Sequence, residues 1–168
     1  GKLCGLESKP DDFLCLKTAA LFHDIGYIDQ YSKNEPVGCE WAAKHLPGFG
    51  YSLEQIEKIK KIIMATQMPQ TPGDGLLERI ICDADLSHLG GDIFFERTED
   101  LRREIAANCT PEGKQPPSPV EWAKGNVKFF EQHQYWTEEA KKLLDAGKAA
   151  NLAKTLEFIK ASEQPQQQ

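Results

Sequence analysis

Residues 21–26 read Leu21-Phe22-His23-Asp24-Ile25-Gly26 and close an apolar run that begins at Phe13. The run predicts a buried helix that ends in two polar side chains, which are costly to bury. A neutral imidazole and a carboxylate can bind a divalent ion, and the ion offsets the cost of burying the carboxylate. Gly26 lets the backbone turn away after the pair. A helix cap beside a packed histidine has the same residues, so the pair alone leaves both interpretations open.

A second apolar helix, predicted over residues 76–89, carries acidic residues in its middle. Its central part reads Cys82-Asp83-Ala84-Asp85-Leu86. Asp85 lies one helical turn after Ile81, so we expect Asp85 to face the same interior as Ile81. Asp83 lies on another face, where Arg79 is within reach. This spacing predicts that Asp83 is an ordinary surface or supporting acid.

Together the two stretches resemble the HD-domain superfamily of metal-dependent phosphohydrolases, whose signature is a His, a His-Asp pair and a distant Asp. His23-Asp24 matches the pair and Asp85 matches the last acid. The resemblance spans roughly residues 12–91. It is strongest to a bacterial subgroup in which His-Asp-x-Gly-Tyr precedes Asp-Ala-Asp-Leu-x-x-Leu-Gly. That subgroup also has a tail motif, which here reads His133-Gln134-Tyr135-Trp136-Thr137.

Three departures from the family pattern refine this expectation. No histidine precedes His23, although the family's first His lies on an earlier helix. We therefore expect that helix to lie upstream of Gly1; a degenerate site is the alternative. Tyr27 and Ile28 occupy the positions of the Glu-Asp pair of the (p)ppGpp-hydrolase branch, which argues against that branch. The additional histidines of the two-metal HD-GYP branch are missing, so the resemblance implies a single metal ion.

The resemblance implies that this ion is bound by His23, Asp24 and Asp85. Its identity is left open among Mn, Fe, Co, Ni, Zn and Mg. Such an ion polarises a phosphoryl oxygen and lowers the pKa of a bound water. Asp24 is the ligand that we expect to orient this water.

Catalytic roles are predicted for four residues, namely Asp24, Asp29, Glu35 and His88. Asp29 and Glu35 fall in a polar segment, residues 27–36, that follows the His-Asp pair. Loop solubility and helix capping are the simpler roles for these two acids, and packing is the simpler role for His88. Lys33 and Arg79 are candidate contacts for a phosphate group.

The expected function is a metal-dependent phosphohydrolase that cleaves a phosphomonoester or phosphodiester. The family resemblance implies a small phosphorylated substrate as the partner, and we expect a nucleotide. The alternative is a catalytically degenerate HD module that senses a nucleotide or binds another domain, and a third interpretation is a helical scaffold with capped acids. The sequence lacks a glycine-rich phosphate loop, a nucleophile elbow and zinc-finger spacing.

The composition argues against nucleic acid and membrane partners. The chain has 20 Lys and Arg against 26 Asp and Glu, which gives a net charge of −6. Such a surface repels nucleic acid and anionic lipid. Five cysteines without C-x-x-C spacing are typical of free thiols in a reducing cytosol, so we expect a cytoplasmic protein. The sequence leaves the oligomeric state open.

No segment shows the alternation of a strand, and no repeat is present, so the predicted fold is all-α. We expect a single-domain helical bundle of the HD-domain type with about seven helices over residues 1–161, followed by a disordered tail, residues 162–168. Ser52 and Ser118 are predicted to begin helices through capping boxes. Gly147 weakens the expectation that the last long helix is continuous.

Overall fold

The computed structural model describes residues 4–109 and 117–164, and over these residues the protein is all-α, with seven α-helices and no strand. The predicted fold class is confirmed. The helices are α1 (Pro10–Phe22), α2 (Asn34–His45), α3 (Leu53–Ala65), α4 (Leu76–Asp85), α5 (Phe94–Cys109), α6 (Pro119–Gln132) and α7 (Glu138–Glu163). Short 3-10 helices are Leu6–Ser8, Ile25–Ile28, Leu46–Phe49 and Ser87–Gly90. Within the described ranges, no helix combines the length and the apolar character that crossing a bilayer requires.

The helix starts follow the predicted capping chemistry. Ser52 Oγ accepts a hydrogen bond from the Gln55 amide at 3.2 Å, and Gln55 Oε1 accepts one from the Ser52 amide at 2.9 Å. Ser118 and Glu121 make the same reciprocal pair before α6. These bonds satisfy amides that have no partner inside their own helix. The last long helix, α7, is continuous through Gly147, so the expectation that this glycine weakens its continuity was wrong.

The helical end of the chain differs from the predicted tail. Residues 162 and 163 belong to α7, and the structure describes the chain as far as residue 164. Residues 165–168 of the predicted tail lie outside the described residues.

Contacts divide the chain into two compact units, Gly1–Asp85 and Leu86–Gln168. The single domain over residues 1–161 stays a prediction.

The first unit packs around α3, which contacts α1, α2 and α4. The α3 side chains that face this core are fully or almost fully buried, namely Ile56, Ile59, Ile62 and Ile63. Their spacing places them on one side of the helix. Cys15 and Ala19 of α1 are buried in the same unit. The first core therefore holds the end of α1, where the His-Asp pair lies.

In the second unit the 3-10 helix Ser87–Gly90 packs on α7. Asn151 of α7 donates hydrogen bonds to the carbonyls of Leu89 at 2.9 Å and Gly91 at 3.0 Å. The backbone at Gly90 is so close to α7 that a Cβ added to Gly147 would lie 2.1 Å from the Gly90 carbonyl oxygen. Gly147 is therefore required by a close approach between main chains.

The tail motif has structural roles in this unit. Tyr135 is 1% exposed, and its hydroxyl donates to the Leu86 carbonyl at 3.3 Å. Thr137 begins α7, since its side chain accepts a hydrogen bond from the Ala140 amide at 3.2 Å. The His133 ring meets the Tyr135 ring edge-on, with 4.7 Å between centroids. The motif therefore ties the segment between α6 and α7 to the start of the unit.

His133 lies in surroundings that disfavour its charged form. Its Nδ1 is buried and has no hydrogen-bond partner in the part of the chain that the structure describes. Lys148 donates a hydrogen bond to the His133 carbonyl. Burial lowers the pKa of His133 to about 4, and the charges of Lys148 and His88 act in the same direction. The folded protein therefore keeps this imidazole neutral under conditions in which the unfolded chain protonates it.

Because of His133, we expect the free energy of unfolding to decrease as the pH is lowered from 6.5 to 4. The unfolded imidazole titrates near pH 6.5 and the folded one near pH 4, so only the unfolded state gains a proton between these values. The contribution is complete above pH 6.5 and is lost as the pH falls towards 4. Urea unfolding at pH 7.5 and 4.5 should show that wild type loses about 2 kcal/mol more than His133→Phe. Equal losses in the two proteins would contradict a depressed pKa.

Candidate metal centre

The three residues that the sequence predicts as metal ligands lie together in the first unit. His23 directly follows α1, and Asp85 is the last residue of α4. His23 Nε2 lies 3.2 Å from Asp24 Oδ2 and 3.4 Å from Asp85 Oδ1. The side chains of His23, Asp85 and Asp24 are 20%, 25% and 61% exposed, respectively. The cluster thus reaches from the interior to the surface, with Asp24 on the solvent side.

The other ring nitrogen of His23 fixes how the imidazole is used. Nδ1 lies 2.9 Å from the Ala20 carbonyl oxygen. A carbonyl oxygen can only accept, so Nδ1 must carry the hydrogen. Nε2 then faces two carboxylates and needs a proton or another cation between itself and their oxygens. Metal-binding histidines commonly donate their second N–H in this way.

The electrostatics of the cluster follow from this contact. The hydrogen bond with Asp24 raises the pKa of His23 to about 10, the bond with Asp85 adds to the effect, and burial opposes it. The same bond to His23 is the largest cause that lowers the pKa of Asp24. In the absence of another cation, His23 is therefore an imidazolium that is shared between two carboxylates at neutral pH.

Amide side chains hold the outer carboxylate oxygens. Asn34 Nδ2 donates to the His23 carbonyl at 3.0 Å and to Asp24 Oδ1 at 3.4 Å. Gln70 Nε2 donates to Asp85 Oδ2 at 2.8 Å. Each of the three predicted ligands thus has one polar atom bonded to a protein partner and another that points to the common centre. Asn34 belongs to the polar segment, residues 27–36, that follows the His-Asp pair.

A close approach of two main-chain segments places Asn34. A Cβ added to Gly26 would lie 2.0 Å from the Asn34 carbonyl oxygen. Lys33, which precedes Asn34, has a left-handed backbone with φ 56°, and α2 begins immediately after it. Gly26 is thus needed here because it has no side chain. The buried Asn34 can then reach back to the His-Asp pair.

The other three residues that were predicted to be catalytic, Asp29, Glu35 and His88, have separate surroundings in the structure. Asp29 is exposed, and its Oδ2 accepts a hydrogen bond from Trp41 Nε1 at 2.8 Å. Glu35 lies in the first turn of α2, and its Oε2 is buried without a hydrogen-bond partner among the described residues. His88 belongs to the second unit, in the 3-10 helix Ser87–Gly90. Of these three residues, Glu35 is the one with a buried carboxylate oxygen that lacks a hydrogen-bond partner among the described residues.

Asp83 and Arg79 correct the prediction made for α4. Asp83 is only 5% exposed, so the surface alternative was wrong, whereas the alternative of a supporting acid stays a prediction. Arg79 Nη2 instead lies 2.8 Å from Asp74 Oδ1, and Arg79 Nε donates to the Gly73 carbonyl at 2.7 Å. The guanidinium of Arg79 therefore binds the segment before α4, although the spacing within the helix had suggested Asp83 as its partner.

Gln70 is the site residue that the sequence did not single out. It lies between Pro69 and Pro72 in the segment between α3 and α4. A single amide in a loop has no periodicity, so no pattern in the sequence indicates its contact with Asp85. The two prolines were the available signal, because they restrict the loop that carries the amide.

An imidazole and two carboxylates are side chains that divalent metal ions accept as ligands in proteins. Neighbouring ligands of an ion with bonds of about 2.1 Å are about 3.0–3.4 Å apart, and the two contacts of His23 agree with this separation. Over residues 4–109 and 117–164, however, no group of three or more His, Cys, Asp or Glu side chains has the arrangement of a metal-binding site. The two carboxylates therefore meet through His23, and an ion would have to draw them together.

The fold and the site define an all-α protein with a His-Asp-Asp cluster at the ends of α1 and α4. No protein-family model, curated protein or solved structure matches the chain.

Proposed function

We propose that the protein is a metal-dependent phosphohydrolase that cleaves a phosphomonoester or phosphodiester. The observation that carries the proposal is the position of His23 Nε2, which lies 3.2 Å from Asp24 Oδ2 and 3.4 Å from Asp85 Oδ1. Two carboxylates beside one imidazole are the donors that divalent transition metals prefer. The match of His23-Asp24 and Asp85 to the HD signature supports the same activity.

His23, Asp24 and Asp85 would hold one ion among Mn, Fe, Co, Ni, Zn and Mg. When bound, such an ion polarises a phosphoryl oxygen and lowers the pKa of a bound water. Asp85 lies deeper than Asp24, with 25% against 61% of its side chain exposed, and so fixes the inner side of the site. Asp24 is the more exposed of the two carboxylates, and we propose that it orients the attacking water.

Glu35 is the further acid that we propose for the reaction. Its buried Oε2 has no hydrogen-bond partner in the described ranges, and the preceding residue, Asn34, bonds the His-Asp pair. A buried oxygen without a partner is costly for stability. Asp29 and His88 are the other candidates.

We propose a small phosphorylated molecule, such as a nucleotide, as the substrate. We also propose that the protein is cytoplasmic and that neither nucleic acid nor a membrane is its partner.

The test measures metal binding and hydrolysis together. Elemental analysis and release of p-nitrophenol from mono- and bis-p-nitrophenyl phosphate are measured with each of the six metals. The experiment uses the 168-residue chain and, in parallel, the same chain with any encoded polypeptide that precedes Gly1. We expect about one ion per chain and metal-dependent release that disappears in Asp24→Ala and Asp85→Ala.

Asp92→Ala is the matched control, because Asp92 is an exposed acid of the second unit. It should keep both the ion and the activity. A folded protein that binds none of the six metals and releases no p-nitrophenol would overturn the proposal. That result would favour the rival function, a regulatory module that binds a nucleotide or a partner domain without cleaving a phosphate ester.

A further inference from the structure

The segment between α3 and α4 is tied to α4 at two places. Near the start of α4, Arg79 donates to the Gly73 carbonyl at 2.7 Å and to Asp74 Oδ1 at 2.8 Å. At the end of α4, Gln70 Nε2 donates to Asp85 Oδ2 at 2.8 Å. The two contacts leave the segment little freedom to move along the helix. The Gln70 amide is thereby held in front of a predicted metal ligand.

We propose that Gln70 is a positioning residue for Asp85. Gln70 directs the Asp85 carboxylate towards the proposed metal centre. The inference rests on the proposed function. Gln70 binds Asp85 Oδ2, and the other oxygen, Oδ1, lies 3.4 Å from His23 Nε2. The last torsion of an aspartate is broad, so the side chain itself fixes the plane of its carboxylate only weakly. The bond from Gln70 to Oδ2 helps to fix that plane, with Oδ1 towards His23.

The second atom of the Gln70 amide argues against a role in stability alone. Gln70 Oε1 is buried and has no hydrogen-bond partner within the described part of the chain. An unsatisfied buried acceptor costs about 1–3 kcal/mol, so an amide is a poor choice for filling this space. Departures from optimal stability are expected at functional sites. The bond from Nε2 to Asp85 is the contact that accounts for a glutamine here.

The inference also gives Arg79 a different role from the predicted phosphate contact. Its guanidinium is bonded to Gly73 and Asp74, three and four residues beyond Gln70. Arg79 therefore fixes the far end of the segment that carries the amide. It acts on the centre through Gln70 and does not need to touch the substrate.

Gln70→Met is the decisive variant, because methionine keeps the length of the side chain and removes the N–H donor. Mn²⁺ is the probe, and free Mn²⁺ is counted by electron paramagnetic resonance during a titration of the 168-residue chain or its extended form. Loss of an outer partner of a metal ligand typically lowers metal affinity about 10–100-fold, and we expect a loss in this range. The melting temperature should change by only a few degrees.

Two further variants separate positioning from general disruption. Gln67→Met removes an amide from the same segment and should leave the Mn²⁺ dissociation constant within about two-fold of wild type. Gln70→His restores an N–H donor at similar reach and should recover part of the lost affinity. If Gln70→Met does not fold, Gln70→Asn, which keeps an amide but is too short to reach Asp85, is expected to show the same loss.

The outcomes distinguish the inference from the proposed function. If wild type binds Mn²⁺ and folded Gln70→Met or Gln70→Asn binds it equally well, Gln70 does not position Asp85 and the inference is wrong. A similar loss in Gln67→Met would also overturn it, because the effect would then belong to the whole segment. If wild type binds none of the six metals, the proposed function fails, and the inference fails with it.

Discussion

Replacing Gly147 by alanine is expected to destabilise the protein by about 3 kcal/mol, although alanine forms helices better than glycine. A Cβ at this position would lie 2.1 Å from the Gly90 carbonyl oxygen, and real Cβ atoms do not come so close to another atom. The gain in helix propensity is about 1 kcal/mol and cannot offset the separation of α7 from the 3-10 helix Ser87–Gly90. That separation would also strain the hydrogen bonds of Asn151 to Leu89 and Gly91.

Gly125→Ala is the matched control for this prediction. Gly125 lies inside α6, and within the described residues an added Cβ there would meet nothing within 4 Å. The same substitution should therefore stabilise the protein by about 0.5–1 kcal/mol through helix propensity alone. Urea unfolding of both variants measures the two effects with opposite signs. Equal stability of the two variants would show that α7 and Gly90 are not in close contact.

Gly26→Ala should destabilise the first unit by a similar amount, about 3 kcal/mol, and should also weaken metal binding at the proposed centre. The added Cβ would lie 2.0 Å from the Asn34 carbonyl oxygen, so the start of α2 would have to move away. Asn34 would then lose its hydrogen bonds to the His23 carbonyl and to Asp24 Oδ1. The expected result is a lower urea midpoint together with weaker Mn²⁺ binding.

The control for this second effect is Gly48→Ala in the 3-10 helix Leu46–Phe49. Gly48 belongs to the same unit, and among the described residues nothing lies within 4 Å of a Cβ built there. We expect the stability of Gly48→Ala to change by less than about 0.5 kcal/mol and its Mn²⁺ affinity to stay the same. If Gly26→Ala behaves like Gly48→Ala in both measurements, the contact between Gly26 and Asn34 has no influence on the centre.

Most of the helical framework could be predicted because its signals are local. The isoleucine stripe of α3 and the capping boxes at Ser52 and Ser118 depend on residues only a few positions apart. The last part of the helix predicted over residues 76–89 is different, since α4 ends at Asp85 and a 3-10 helix follows. That change accompanies the close approach of Gly90 to α7, a contact between residues that are distant in the sequence.

The candidate site was predictable to the extent that its residues form a pattern. His23, Asp24 and Asp85 stand at recognisable positions, and the structure brings their side chains together. Gln70 reaches Asp85 from a loop, so its contact depends on how that loop folds. The helical spacing from Arg79 to Asp83 allowed an ion pair, but Asp74 binds the guanidinium instead. Spacing within one helix cannot show which competing partner comes from outside it.

The hydrogen bond from Tyr135 to the Leu86 carbonyl has a consequence for how the motif around Asp85 is interpreted. Asp85 belongs to the cluster with His23, whereas the next residues, Leu86 to Gly91, anchor Tyr135 and α7. Folding also requires the side chains of this stretch, because Leu86 and Leu89 pack with Phe94 and Phe130, and Gly90 approaches the backbone of α7 closely. A related chain without catalytic activity would therefore still keep these residues. Under the proposed function, His23, Asp24 and Asp85 are the residues that would distinguish an enzyme from such a relative.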